Sequence, residues 1–308
     1  MKRTLKIGTR GSDLALWQSR WVQARLADAG TTTEIVIIKT QGDAEVDRPL
    51  HEMTGTGFFT KAIEDALLDR RVDLAVHSLK DLPTSLPPGL ALGAVPKRVD
   101  SNDVLVVREH GPMSLLELAP GVRIGTSSLR RIAQVRYLRP DLEVVPLRGN
   151  VPTRVRKVKE GSSLDAAVLA FAGLERLGLS DVVRIKLDPL ELMPAPGQGA
   201  LGLEIRSDDD RARTALRSLD DPESAAHVQA ERALLAALEG GCQAPVAAYV
   251  GRGGKGEAGG MRLYGRVTAP DGSLQLTASA ELSQDPAAVG HAVAGLLRDE
   301  GALELLAR

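Results

Sequence analysis

The sequence predicts a mixed α/β chain: two duplicated, doubly wound lobes around a cleft, followed by a small α+β C-terminal domain. Three observations carry this reading. At 308 residues the chain is longer than one ordinary hydrophobic core sustains. Helix-period and strand-like segments alternate along its first two thirds. The order strand, turn, helix, strand, turn, helix, strand then occurs a second time, and a repeat of this kind governs the fold.

The first copy opens on Lys6-Ile7-Gly8-Thr9-Arg10-Gly11-Ser12 and the second on Arg123-Ile124-Gly125-Thr126-Ser127-Ser128. Each leads into a helical pattern, over 13–27 and 129–138. A short apolar strand follows, 34–39 and 142–147. Each strand ends in a glycine turn, Thr40-Gln41-Gly42-Asp43 and Arg148-Gly149-Asn150. A second helix is expected over 59–69 and 152–160, then a strand opening Asp-x-Ala-Val at Asp73 and Asp165. This alternation implies parallel sheets covered by helices on both faces. Such sheets bind ligands beyond the carboxyl ends of their strands, where these turns lie.

The connections set the expected boundaries. The polar run 96–103, after Pro87-Pro88-Gly89, reads as a crossing out of the first lobe. The stiff segment Pro194-Ala195-Pro196-Gly197-Gln198-Gly199 reads as the return. Two crossings make a hinge. The expected division is lobe 1 at 1–98 and 199–218, lobe 2 at 99–198, and a third domain at 219–308. That domain reads as a helix over 222–238, strands around Tyr249, Leu263 and Leu276 with a turn at Pro270-Asp271-Gly272, and a helix from Pro286.

Composition narrows the function. With 43% apolar and 26% charged residues and a net charge of −1, nothing global points to nucleic acid or an anionic membrane. No apolar run approaches the roughly 20 residues of a membrane span. The N-terminus lacks the apolar core of a signal peptide, so a cytoplasmic protein is expected. One cysteine excludes an internal disulfide, and with scattered histidines it supplies no metal ligand set. Of 39 Lys and Arg residues, 10 are Lys, leaving 29 Arg. Arg is the better bidentate partner for carboxylate or phosphate.

The candidate chemistry lies at the turns. Gly125-Thr126-Ser127-Ser128 before Leu129-Arg130-Arg131 offers amides, hydroxyls and two guanidiniums at a helix start, which suits an anion. Ordinary capping by Ser127 or Ser128 with solvated arginines accounts for that turn taken alone. The matching turn with Arg10 and Ser12, and Arg148 and Arg154 around the next one, favour a polyanionic ligand, without any Walker-type phosphate loop. Lys80 and Asp81 follow a buried strand in Val76-His77-Ser78-Leu79-Lys80-Asp81. They read either as a salt-bridged loop or as an acid held among cations for proton transfer or cation stabilisation. His77 reads as a base or as a hydrogen-bonded structural residue. Cys242, in Gly240-Gly241-Cys242-Gln243-Ala244-Pro245, sits in a loop that exposes a thiol packing would otherwise bury. The polar, glycine-bounded stretch 42–57 reads as a mobile lid.

Taken in order, Thr9-Arg10-Gly11-Ser12, His77 to Pro83, Gly125 to Arg131, Arg148-Gly149-Asn150, Gly197-Gln198-Gly199-Ala200 and Glu239-Gly240-Gly241-Cys242-Gln243 resemble the porphobilinogen deaminase (hydroxymethylbilane synthase) family along nearly the whole chain. The resemblance implies lobes of the periplasmic-binding-protein type and a dipyrromethane cofactor thioether-linked to Cys242. It implies a transferase of haem and tetrapyrrole biosynthesis that condenses four porphobilinogen units, with loss of ammonia, and releases hydroxymethylbilane. By the same resemblance, Asp81 is the catalytic residue at the pyrrole nitrogens. Lys80, Ser128, Arg130 and Arg131 hold the cofactor. Arg10, Ser12, Phe59, Arg148, Arg154 and Gln198 hold substrate and the growing chain. A monomer is implied, with porphobilinogen and the pyrrole chain as its only partners. Thr56 stands where many members have Lys, Gly11 and Asp13 where Gln and Pro are frequent, and Pro152 where Gly is usual. The alternatives are a two-lobed small-anion binding module, which needs neither the third domain nor Cys242, and a hydrolase or transferase pairing Cys242 with His77 or His227.

Overall fold

The computed structural model describes residues 4–40, 60–108, 114–161, 163–238, 244–253 and 260–307. The chain divides into two compact units, Met1–Val99 with Gly199–Ala225, and Asp100–Gln198 with Ala226–Arg308. The first begins with β1 (Leu5–Thr9), α1 (Asp13–Asp28), β2 (Thr33–Ile37), α2 (Lys61–Leu68), β3 (Leu74–Ser78) and β4 (Leu90–Ala94). The second begins with β5 (Asp103–Val107), β6 (Arg123–Gly125), α3 (Leu129–Leu138), β7 (Glu143–Val145), α4 (Val151–Glu160), β8 (Ala166–Ala170), α5 (Phe171–Arg176) and β9 (Arg184–Lys186). The chain returns to the first unit with β10 (Leu201–Arg206) and α6 (Asp210–Leu216). It ends in α7 (Pro222–Ala237), β11 (Val246–Arg252), β12 (Met261–Thr268), β13 (Gln275–Glu281), α8 (Pro286–Asp299) and α9 (Ala302–Leu306).

Among the described residues the strands form three sheets. The two larger ones have matching orders, β2-β1-β3-β10-β4 and β7-β6-β8-β5-β9. Both departures from the expected parallel arrangement fall at the same place. β10 runs antiparallel to β3 and β4, and β5 antiparallel to β8 and β9. Each is the strand that arrives straight from a crossing. Without a crossover helix of its own, nothing turns it parallel to its neighbours.

Alternation along the strands distributes each sheet between two layers of helix. In the first unit Leu74 and Val76 of β3 join Leu5, Ile7, Leu203 and Ile205 against Val22 and Leu26 of α1 and Leu216 of α6. Ala75, between them in sequence, faces Ile63, Ala66 and Leu67 of α2. The second unit repeats the pattern. Leu105, Ile124 and Val168 pack with Val135 of α3, whereas Val104, Val106 and Ala167 pack with Val155 and Val158 of α4. The third sheet, β11-β12-β13, is antiparallel and lies against Leu234 of α7 and Val293 and Leu297 of α8. Truncating any of these buried leucines to Ala removes about 2–5 kcal/mol. No helix among the described residues is long and apolar enough to cross a membrane.

Candidate functional site

In the first unit the sheet delivers side chains at two neighbouring strand ends. β1 gives way to Arg10-Gly11-Ser12, and Ser12 caps α1, its hydroxyl accepting from Ala15 N at 3.4 Å. Arg10 and Ser12 are partly buried. β3 runs into a 3-10 turn, Leu79–Asp81, whose first amide, Leu79 N, donates to Ala200 O at 3.0 Å. Leu79 and Leu82 are buried, so the turn is seated in the core while Lys80 is partly buried and Asp81 is exposed. Neighbours in so tight a turn point different ways. Among the described residues no ion pair joins Lys80 to Asp81, so the salt-bridged loop is not what forms. The Asp81 carboxylate faces outward from a rigid base.

The second unit handles its turn differently. Ser127, not Ser128, is tied down. Its Oγ donates to Leu147 O and accepts from Leu147 N, both at 3.0 Å, joining the ends of β6 and β7. That local closure also ends β7 at Val145, short of the expected Leu147. Ser128 occupies the N-cap position of α3, yet its hydroxyl makes no capping bond. Asn150 caps α4 through Thr153 N at 2.9 Å. Gly149 before it has φ +108°, and a Cβ there would lie 2.7 Å from Thr153 Cγ2, so only glycine fits. Arg154 folds back on this turn, Nε donating to Gly149 O at 2.8 Å, and Arg148 is partly buried beside it.

Arg130 and Arg131 are set into the interior of the second unit. Both are buried, at 4% and 6% exposure, and both donate to Asp103, which is wholly buried. Arg131 Nη2 and Nε reach its two oxygens at 2.7 and 3.1 Å, and Arg130 Nη2 reaches it at 2.8 Å. Arg131 Nη1 donates to Val168 O, and Arg130 Nη1 to Met193 O. Gln198 joins the same group, donating to Asp103 Oδ1 and to Ser101 O, each at 2.7 Å. These three side chains were expected to grip a ligand, and most of their donors are committed inside the unit. Arg130 Nε is the buried donor left without a partner.

Electrostatics follow from the geometry. Burial works against the Asp103 charge, but Arg130 and then Arg131 outweigh it and hold the carboxyl well below the usual range. Burial lowers Arg130, with Asp103 restoring part of the proton's hold. One carboxylate against two guanidiniums leaves the cluster one positive charge in excess. With an unpartnered Nε and the uncapped Ser128 beside it, this donor set suits a further carboxylate.

Asp103 escaped the sequence reading because it hides in the polar crossing 96–103, although it directly precedes the apolar run Val104 to Val107. An ionisable residue opening a buried strand was the available signal. Glu231 was also missed. Fully buried on α7, it accepts from Gly197 N at 2.8 Å and Val250 N at 3.0 Å, fastening the crossing to β11. Phe59, Cys242 and the 42–57 segment with Thr56 lie outside the described residues.

A duplicated α/β protein thus presents an outward acid beside a lysine in one unit, and hydroxyl and guanidinium donors in the other. Two family models cover it, the porphobilinogen deaminase dipyromethane cofactor binding domain over residues 5–214 and the porphobilinogen deaminase C-terminal domain over 225–299. The porphobilinogen deaminase of Syntrophobacter fumaroxidans is 47% identical, over 99% of this chain and 97% of that protein. That of Roseiflexus castenholzii is 46% identical over the full length of both, and that of Chromobacterium violaceum 47% identical over 98% of this chain and 96% of its own. Among solved structures, the methionine binding protein MetQ covers 72% of this chain and 92% of its own at 13% identity, with a TM-score of 0.43. The chain belongs to the porphobilinogen deaminase family.

Proposed function

We propose that this chain condenses four porphobilinogen molecules, releasing one ammonia for each, and then frees the linear tetrapyrrole hydroxymethylbilane by adding water across the bond that joins it to the cofactor. The observation that carries the mechanism is the Asp81 carboxylate, exposed on a turn whose backbone is fixed by Leu79 and Leu82. As the aminomethyl C–N bond of porphobilinogen breaks, positive charge spreads onto the ring nitrogen. A preorganised carboxylate at that nitrogen stabilises the charge where it develops. Lys80, one residue earlier, meets a carboxylate side chain of the ring. The acetate and propionate groups call for further cations, and Arg10, Ser12, Arg148 and Arg154 are assigned to them, with Phe59 and Gln198 in support.

The family's dipyrromethane supplies an electron-rich pyrrole carbon for the incoming unit. Its own acetates and propionates fit the donor set around α3, where Ser128, the Arg130 edge and the Asp103-anchored Arg131 would hold it. Cys242, the one cysteine in the chain, is assigned as its attachment point. The reading includes a cytoplasmic, monomeric enzyme whose partners are porphobilinogen and the growing chain.

The deciding measurement is turnover of cofactor-bearing Asp81→Asn protein, with occupancy fixed by intact mass. A fall of about a hundredfold or more is expected, because removing charge stabilisation of this kind costs that much. Near-normal release of ammonia and product removes Asp81 from the mechanism.

A further inference from the structure

Among the buried titratable side chains of the first unit, one cluster of three is left unused by these roles. His77 on β3 meets Glu204 on β10, Nε2 to Oε2 at 3.0 Å, with exposures of 6% and 0%. Glu64 on α2 is buried nearby. Burial raises its carboxyl above the usual range, against the pull of the Thr60 hydroxyl; the Glu204 charge adds to the rise and His77 opposes it. The Oε1 atoms of Glu64 and Glu204 are both buried without a hydrogen-bond partner. Two carboxyls and an imidazole buried between a sheet and its covering helix are costly, and apolar residues of similar volume would pack there more stably.

Their place in the fold suggests what the arrangement achieves. β3 ends at Ser78 and runs directly into the turn that carries Lys80 and Asp81. Successive strand residues face opposite ways. Ser78 faces α1, where buried Gln18 donates through Nε2 to Ser78 Oγ at 2.8 Å. His77 faces the other layer, toward α2 and Glu204. The last two residues of the strand are therefore gripped on both faces by polar bonds, one buried and one partly buried. Along the edge, β10 holds the same stretch by its backbone, Leu201 pairing with Ser78 and Gly202 with His77. Asp81 itself has no side-chain partner among the described residues, so only the backbone beneath it fixes its carboxylate.

We propose that His77 and Glu204, with Gln18 and Ser78 on the opposite face, are positioning residues that hold the Lys80–Asp81 turn for the reaction. The inference rests on the assignment of Asp81 above. Two readouts keep the two apart. In His77→Leu protein, amide hydrogen exchange at residues 79–82 should quicken by about tenfold, as local opening of a loosened turn requires. Turnover per cofactor-loaded molecule should fall about tenfold with KM little changed, since small misplacement of a catalytic group costs that order. His77→Gln keeps an Nε donor for Glu204 and should restore turnover to within about threefold of the parent. Should His77→Leu fail to fold, Gln18→Met tests the grip from the other face by the same two measurements.

A double variant completes the test. If the pair acts through Asp81, adding His77→Leu to Asp81→Asn should lower the residual rate by less than about twofold, as expected of groups that act as a unit. Unchanged exchange at 79–82, an additive double variant or failure of His77→Gln to restore turnover overturns the positioning role. Near-normal Asp81→Asn turnover instead overturns the assignment of Asp81, and exchange at 79–82 still decides whether the pair holds the turn.

Discussion

The two units share a sheet order but put opposite charge balances into it. In the first, the antiparallel strand β10 carries Glu204 against His77, with Glu64 close by. In the second, its counterpart β5 carries Asp103 against Arg130 and Arg131. Both carboxylates are wholly buried on the strand that enters from a crossing. The first cluster has two carboxyls to one imidazole, so its weak point is an acid pushed toward its neutral form. The second has two guanidiniums to one carboxylate, so its weak point is surplus positive charge. One scaffold thus serves two purposes: it steadies an outward acid in one unit and keeps cationic donors in the other.

The largest expected effect comes from breaking the second cluster. Asp103→Asn leaves two guanidiniums buried without their counter-charge and should cost about 3–5 kcal/mol in denaturant unfolding, with loss of cofactor from the purified protein. The native Asp103 carboxyl lies below its unfolded value. Its contribution is therefore complete above the unfolded pKa of about 4 and lost only on acidification, so the deficit of the variant should shrink toward low pH. A deficit under about 1 kcal/mol at neutral pH would mean that the arginines find another anion, and would erase the contrast.

The serines at the equivalent turns come next. Ser12 caps its helix and Ser128 does not. Ser12→Ala should therefore cost about 1 kcal/mol of stability. Ser128→Ala should cost less than about 0.5 kcal/mol, as for a side chain without a stabilising bond, while reducing cofactor occupancy by intact mass. Equal losses of stability would show that the two turns are the same after all.

The smallest effect sharpens the contrast in sign. Glu64 has a folded pKa raised above its unfolded value, so its contribution to stability falls as pH rises through the raised value. Glu64→Gln removes that dependence. Relative to the parent, its melting temperature should improve as pH rises above the unfolded pKa of about 4 and level off once the folded carboxyl has ionised, the direction opposite to that at Asp103, where rising pH widens the deficit of the variant. A pH-independent difference would place Glu64 in a site that does not disfavour its charge.

Much of the local structure was written in the sequence. The pattern places a helix over 129–138 and the structure has Leu129–Leu138; it places one over 13–27 and the structure has Asp13–Asp28. The repeat itself, its turns and the strands of the third sheet follow from periodicity and from glycine and proline, because those signals act over a few residues. Burial of a stripe or an alternate face is likewise encoded locally.

Which groups meet inside the fold is not. Arg130 and Arg131 are expected as ligand donors because the sequence shows two cations at a helix start, but the sequence does not show what anchors them. Their partner lies 27 and 28 positions away on another strand. His77 offered a base or a structural residue, and the choice was made by Glu204, 127 positions on, which reaches it only because the chain leaves for the second unit and returns as β10. The antiparallel direction of β5 and β10 has the same origin. A strand's residues state that it will be buried, but its direction and neighbours come from the route of the chain. Charge pairing depends on the distance that route produces, so the tertiary structure alone decided which ionisable groups are anchored and which, like Asp81, remain exposed.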